Sequence, residues 1–285
     1  QAAGLNVFGL HGDVDGLIRF VQSEPGRAFL AELARAGIEV EYELHALSWL
    51  LPREEFARHP AWFRMDGRGA RTPDANLCPS NPEALAVAAR NAARLAGLLT
   101  PTTSRYYLWA DDATPWCQCG LCRCLSPADQ NLLTMTALLA GLRQVDPHAA
   151  LAYLAYANTL DPPQQVAPAE GIFLEYAPIE RRYDGPLGAP ANAEHRAQLE
   201  RLLDRFGADR AHALEYWLDS SRFSGWKRPA VRVPFRRDVL AADARLYHDL
   251  GFRSITTFGV YLDREYSVRY GVPPVAEYGA VLRET

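Results

Sequence analysis

The sequence predicts an α/β protein of the (β/α)8 TIM-barrel type with one irregular or missing βα unit. Apolar strand-like runs alternate with amphipathic stretches, the runs are apolar on both faces, and seven of them fit into about 250 residues. A doubly wound sheet is the alternative, but the segment LHGDVDG after the first run lacks the G-x-G-x-x-G phosphate loop of that fold. No linker interrupts the alternation, so we expect residues 1–285 to form a single barrel domain.

The individual elements follow from apolar periodicity and from glycines at helix ends. The predicted strands are 4–10, 38–47, 105–109, 150–156, 171–176, 211–218 and 252–261. The predicted helices are 27–36, 81–99, 128–145, 192–206, 236–250 and a last one from 275. Gly37, Gly207 and Gly251 stand where left-handed C-terminal caps belong. The eighth strand is either the short PAVRVPF segment or absent from this chain.

Composition excludes several classes of partner. The 30 basic and 34 acidic side chains give a net charge of -4, so no basic surface is expected to bind nucleic acid. No apolar run approaches the roughly 18 residues of a membrane span. The start, QAAGLNVFGLHGD, lacks a basic region followed by an apolar core. We therefore expect a soluble chain with a substantial apolar core.

Carboxylates and aromatic residues cluster where the predicted strands end, which is where barrel enzymes carry their active sites. Aromatic rings stack on sugar rings and paired carboxyl groups cleave glycosidic bonds, so this composition indicates a saccharide ligand. The candidate acids are Asp112, Glu215 and Asp111. The candidate substrate contacts are His11, His45, Trp109, Tyr153, Tyr156, Glu175, Trp217 and Tyr261.

Each acid also has a structural interpretation. Asp112 is favoured over Asp111 because the following Ala-Thr-Pro ends the strand, although either aspartate suits a turn or a helix cap. Glu215 is the second candidate acid, or it forms a buried salt bridge with an arginine. Glu41 and Glu43 share one face of their strand and are either site residues or a buried ion-paired layer, so we rank them second.

Four of the five cysteines form a C-x-C-x-x-C-x-C cluster of Cys117, Cys119, Cys122 and Cys124. Thiolates at this spacing either bind a structural zinc ion, with Cys78 able to replace one of them, or pair as disulfides. In both cases we expect the cluster to fix the loop after Asp112 rather than to react.

The motifs LHALSWLLP, FARHPAWFRMDGRGART, LCPSNPEA and DDATPWCQCGLC resemble a largely uncharacterised bacterial family of barrel domains. The likeness extends from about Glu43 to Tyr261, with weaker matches at YLAYANTLDPP and LEYWLDSSRFSGWKRP. The resemblance implies kinship with glycoside hydrolases, among them endo-β-N-acetylglucosaminidases that cut N-linked glycans, and export from the cell. Its conserved acid and histidine fall on Asp112 and His45, whereas Cys124 is an addition to the family pattern.

The resulting hypothesis is a glycoside hydrolase that cleaves at a 2-acetamido sugar, with a glycan or oligosaccharide as substrate. The substrate's acetamido oxygen attacks the anomeric carbon, one protonated carboxyl donates to the leaving oxygen, and an ionised carboxylate orients the acetamido N–H. Asp112 and Glu215 are assigned to these roles in either order, with Asp111 as the substitute for Glu215. Catalysis requires no cofactor. The alternatives are a carbohydrate-binding barrel without catalysis and a glycosidase for uronic acids.

Overall fold

The computed structural model describes residues 3–113 and 115–285, so Thr114 of the DDATPWCQCGLC motif lies outside the described residues. The strands are β1 (Val7–His11), β2 (Glu39–His45), β3 (Arg105–Trp109), β4 (Ala150–Ala155), β5 (Ile172–Tyr176), β6 (His212–Glu215) and β7 (Ser254–Thr257). The helices are α1 (Val14–Gln22), α2 (Glu24–Arg35), α3 (Leu47–Leu50), α4 (Pro82–Leu98), α5 (Pro127–Leu142), α6 (Ala193–Phe206), α7 (Ser220–Phe223), α8 (Arg237–Asp249), α9 (Arg264–Tyr270) and α10 (Val275–Glu284). Each predicted strand overlaps one observed strand.

The seven strands form one sheet in the chain order β1 to β7, and the strand pairs of defined register are parallel. Within the described residues, β1 and β7 are the two edges of this sheet. The prediction of a closed (β/α)8 TIM-type barrel is therefore wrong. The chain forms an open seven-stranded parallel sheet with helical connections.

The segment PAVRVPF does not form an eighth strand, and several of its backbone donors are missing or already used. Pro229 and Pro234 have no N–H to give to a sheet. The N–H of Val231 donates to the Ser224 hydroxyl at 3.0 Å, and that of Val233 donates to a tyrosine hydroxyl at 3.1 Å. Side chains thus take the hydrogen bonds that a neighbouring strand would need.

The described chain divides into two compact units. The N-terminal unit comprises Asn6–Leu154 and Asp161–Phe173. The C-terminal unit comprises Ala155–Leu160 and Leu174–Thr285, together with the start of the chain up to Leu5. Each unit is described separately below. No helix in the described part of the chain is long and apolar enough to cross a membrane.

In the N-terminal unit, α4 and α5 pack closely because small residues line their contact. Ala84, Ala88 and Ala92 are fully buried on α4, while Gly141 is buried on α5. The Asn81 side chain caps α4 by accepting two backbone N–H bonds. Gly37, Gly207 and Gly251 follow helices with positive φ angles of 67°, 78° and 89°, although Gly207, with a ψ of 166°, is not in the left-handed helical region.

The two helix glycines Gly141 and Gly97 should respond oppositely to alanine. A Cβ at Gly141 would lie 2.1 Å from the carbonyl oxygen of Ala89, whereas nothing lies within 4 Å of one at Gly97. We expect Gly141→Ala to lower the free energy of unfolding by about 1–3 kcal/mol and Gly97→Ala to raise it by up to about 1 kcal/mol. Chemical denaturation of both variants measures this, and equal effects would contradict the packing described.

Candidate functional site

The carboxyl ends of β1, β2 and β3 bring several predicted site residues together within the N-terminal unit. The register pairs His11 with Glu43, Glu43 with Tyr107, and His45 with Trp109. Side chains alternate along a strand, so these five share one face of the sheet. We call these five residues the strand-end cluster.

The two imidazoles of the cluster are oriented by backbone carbonyl groups, which can only accept hydrogen bonds. His11 Nδ1 donates to Glu43 O at 2.9 Å, and His45 Nδ1 donates to Ala110 O at 2.6 Å. The His45 ring lies 5.0 Å from the Trp109 ring, and the His11 ring lies 5.6 Å from it. Trp109 is only 2% exposed, so it supports the histidines rather than offering its own face to a ligand. His11 is exposed and His45 is half-buried.

Asp111 anchors the segment that follows β3. Its carboxylate accepts from the backbone N–H of Ser48 at 2.9 Å and from that of Asn76 at 2.6 Å, and it pairs with Arg53. The Ser48 hydroxyl donates to the same carboxylate. Asp112, by contrast, is exposed and makes no hydrogen bond or ion pair with another described residue. The two adjacent acids therefore differ, because one holds the segment in place and the other is accessible.

The two glutamates of β2 lie in different electrostatic surroundings. Glu41 accepts from the Thr103 hydroxyl at 2.9 Å and lies 3.8 Å from Arg105. Glu43 is 4% exposed, and its carboxyl has no hydrogen bond or ion pair within the described residues. Burial and the nearby charge of Glu41 raise the pKa of Glu43 to about 8. The alternative of an ion-paired layer thus fits Glu41 but not Glu43.

Four buried cysteines converge beside the segment after β3: Cys78, Cys117, Cys119 and Cys122. Their sulfur atoms all lie within 4.8 Å of one another, and Cys78 Sγ lies 3.8 Å from Cys119 Sγ and 3.9 Å from Cys122 Sγ. This four-cysteine group could hold a metal ion. Hydrogen bonds from the Cys117 and Cys122 thiols lower the pKa of Cys78.

Cys124 does not belong to this group. It is exposed, and its thiol contacts the carbonyl oxygen of Leu121 at 3.6 Å. The predicted set of Cys117, Cys119, Cys122 and Cys124 therefore needs correction, since Cys78 supplies the fourth sulfur. Cys78 lies in the loop that leads into α4, far in sequence from the other cysteines. Only the three-dimensional structure could therefore identify it as the fourth member of the group.

Two polar groups contact the sulfur of Cys117. The backbone N–H of Met65 donates to Cys117 Sγ at 3.3 Å, and Arg71 lies 3.8 Å from the same sulfur. Burial acts to lower the pKa of Arg71, but hydrogen bonding and the charge of Cys78 outweigh burial and raise it. The buried Gln130 amide on α5 accepts a hydrogen bond from the Cys117 N–H at 3.0 Å and donates one to the Cys117 carbonyl oxygen at 3.1 Å.

Glu215 lies in the C-terminal unit inside a buried ion-pair network. Neither Glu215 nor Arg181 is exposed, and Arg181 lies 3.1 Å from Glu215 and 2.5 Å from Asp243. The hydroxyls of Tyr247 and Tyr183 each donate to Glu215 at 2.6 Å. Burial raises the pKa of Asp243 to about 6, although the charge of Arg181 opposes this shift. The polar atoms of Glu215 are thus fully used within the protein.

The sheet register places Glu215 on the opposite face from the predicted contact Glu175. Glu175 pairs with His212 and Tyr176 with Ala213, so Glu215 shares a face with Ala213 and points away from the face of Glu175. The buried Trp217 donates to Asp243 at 3.1 Å and belongs to the same network as Glu215.

The remaining predicted contacts have varied positions. Tyr153 is fully buried on β4, within the N-terminal unit. In the C-terminal unit, Tyr156 is half-buried just after β4. Tyr261 is half-buried in a left-handed conformation with a φ of 65°, and Arg228 lies 4.5 Å from its ring centre.

A search of curated proteins finds no match to this sequence. A profile of a family described as a domain of unknown function, DUF4838, matches residues 25–208, which is more than half of the chain. The matched span contains the strand-end residues of β2 and β3, Asp112 and the four-cysteine group, whereas Glu215 lies beyond it. The family description names no activity. This is consistent with the motifs, which resemble a largely uncharacterised family. The chain therefore belongs to the DUF4838 family.

Proposed function

We propose that this protein is a glycoside hydrolase that cleaves at a 2-acetamido sugar and that its substrate binds over the strand-end cluster. The observation that carries the proposal is the combination of an accessible acid, Asp112, with two oriented imidazoles at neighbouring strand ends. Because His45 Nδ1 is committed to a carbonyl, its Nε2 can meet a sugar hydroxyl. A saccharide is rich in such hydroxyl groups.

Asp112 is assigned the role of the ionised carboxylate that orients the acetamido N–H and stabilises positive charge at the anomeric centre. Asp111 is the positioning residue for it, since the carboxylate of Asp111 is committed to Ser48, Asn76 and Arg53. We expect this fixation to restrict the position of the neighbouring Asp112 side chain, as catalysis would require.

A second candidate function, saccharide binding without catalysis, is favoured by the state of Glu215. An acid already paired with Arg181 and bonded to two tyrosines has no free oxygen for a substrate. If Glu215 were the required second acid, no hydrolysis would follow. Wild-type activity therefore discriminates between the two functions.

We also propose that Cys78, Cys117, Cys119 and Cys122 bind a structural zinc ion. Four sulfurs about 2.3 Å from a tetrahedral zinc ion are about 3.8 Å apart, whereas disulfide sulfurs are about 2.05 Å apart. The distances of 3.8 and 3.9 Å from Cys78 to two of its neighbours support the tetrahedral arrangement. A zinc ion here would fix the loops carrying these cysteines and take no part in the reaction.

The Asp112→Asn variant should lose hydrolysis and keep its fold. We expect kcat/KM to fall at least about 100-fold on a 4-nitrophenyl N-acetyl-glycosaminide or free N-glycan that the wild type cleaves. Since Asp112 is exposed, the free energy of unfolding should change by less than about 0.5 kcal/mol. Asp111→Asn is the matched comparison and should lower that free energy by about 1–3 kcal/mol. Full activity of Asp112→Asn would refute the assignment.

Glu215→Gln should chiefly destabilise the protein. Removing one charge from a buried pair leaves Arg181 incompletely compensated, so we expect the free energy of unfolding to fall by about 3 kcal/mol. Glu200→Gln is the control, because the Glu200–Arg196 pair is on the surface and should contribute less than about 0.5 kcal/mol. Urea denaturation measures both. Were Glu215→Gln as stable as the control yet inactive, Glu215 would be catalytic.

Metal content should separate Cys78 from Cys124. We expect one zinc ion per chain, measured by elemental mass spectrometry on protein purified without chelator. Cys78→Ser should lose the metal and unfold at lower temperature, since a zinc ion bound only by the folded chain stabilises it. Cys124→Ser should retain one equivalent. Retention of zinc by Cys78→Ser and its loss from Cys124→Ser would restore the ligand set expected from sequence.

A further inference from the structure

Glu43 is a buried carboxyl group that has no hydrogen-bond or ion-pair partner in the part of the chain that the structure describes. It is 4% exposed, and no hydrogen bond or ion pair to its carboxyl occurs within the described residues. Its neighbour on the same face, Glu41, is compensated in part by Thr103 and Arg105, although its Oε2 has no hydrogen bond within the described residues. Burying a polar group without a partner costs stability, so such a group in a native fold often serves a functional site.

The position of Glu43 is set by β1. The residue pairs in register with His11, the exposed last residue of that strand, so Glu43 lies level with the accessible end of the sheet. A Cβ on Gly9 would lie 2.4 Å from Glu43 Oε1. The bare backbone at Gly9 thus provides the space that the Glu43 carboxyl occupies.

The surroundings of Glu43 favour its neutral form. Burial and the charge of Glu41 raise its pKa to about 8, so the carboxyl is largely protonated at neutral pH. A carboxylic acid in this state can donate a hydrogen bond or a proton. The titratable and charged groups on the same face are His11 on β1, Glu39, Glu41 and His45 on β2, and Arg105 and Tyr107 on β3.

We propose that Glu43 is the proton donor of the glycosidase, an inference that rests on the proposed function. As the bond between the anomeric carbon and the leaving oxygen breaks, the Glu43 proton passes to that oxygen. A lone pair of the acetamido oxygen forms the new bond to the anomeric carbon. Water then adds to that carbon, its proton returns to the Glu43 carboxylate, and the acetamido oxygen is released. Glu43 thereby takes the role for which Glu215 has no free oxygen.

Glu43→Gln tests this assignment through its dependence on the leaving group. Two N-acetyl-β-D-glucosaminides serve as probes, one with a 2,4-dinitrophenyl group that departs unprotonated and one with a phenyl group that needs a proton. We expect kcat/KM, which reports the step that breaks the glycosidic bond, to fall at least about 100-fold on the phenyl glycoside and less than about 5-fold on the dinitrophenyl glycoside. Wild-type kcat should fall as the pH rises through about 8, and the variant should lose this decline. Glu39→Gln, at the exposed start of β2, is the control and should match the wild type.

Thermal stability verifies that the variant is folded. The unfolded state ionises Glu43 near its ordinary pKa, whereas the folded state keeps it protonated up to about 8, so the wild type loses stability as the pH rises between these values. Glu43→Gln removes this loss, and its melting temperature relative to wild type should rise from pH 5 to pH 8.

The possible outcomes separate the two proposals. Equal losses on both glycosides, or none, in a folded Glu43→Gln variant would overturn the role of Glu43 and leave the hydrolase intact. If the wild type cleaves neither these probes nor free N-glycans, the proposed function fails, and the role of Glu43 with it.

Discussion

The segment after β3 depends on side chains to fix its course, because its described residues between Ala110 and Ser126 form neither helix nor strand. At the start of the segment, the Asp111 carboxylate accepts a hydrogen bond from Asn76. In its middle, three cysteines belong to the four-cysteine group, and the Gln130 amide binds the backbone of Cys117. Backbone polar groups outside regular structure must find partners elsewhere. Here the partners come from the loop before α4 and from α5, so the position of the exposed Asp112 is a property of the whole N-terminal unit.

Three buried glutamates, Glu215, Glu41 and Glu43, differ in how far neighbouring groups compensate their charge. Glu215 is fully compensated by Arg181 and two tyrosines. Glu41 is compensated in part by Arg105 and a threonine. Glu43 is not compensated, and it avoids the cost of a buried charge by remaining protonated at neutral pH. Partner groups, rather than burial alone, therefore distinguish a structural acid from a reactive one.

The sequence predicted the strands well, because parallel strands covered by helices are continuously apolar and are separated by helices with recognisable ends. It did not predict that the sheet stays open. Closure requires one more segment with free backbone donors, and in 229–235 two residues are prolines and the N–H groups of Val231 and Val233 donate to side chains. A single β-branched run cannot reveal where its N–H groups will donate.

Residues local to a strand end could be grouped from the sequence, whereas groupings whose partners come from distant segments could not. His11, His45 and Trp109 follow directly from strand ends, and the structure brings them together. Cys78 could be assigned in place of Cys124 only once the fold was known. Glu215 was assigned from its position on a strand, but the register turns it toward Tyr247, and the sequence does not give that register.

Glu43 shows why a site residue can be visible in a sequence and still be ranked low. Its alternation with Glu41 predicts that both acids share one face, and that much is correct. Whether such a pair is structural or reactive depends on a single cation, Arg105, which lies near one acid and leaves the other unpaired. The distinction also depends on Gly9, whose missing side chain leaves room for the Glu43 carboxyl beside β1. Both determinants lie on neighbouring strands, so the chemistry of Glu43 is a consequence of strand pairing rather than of its own local sequence.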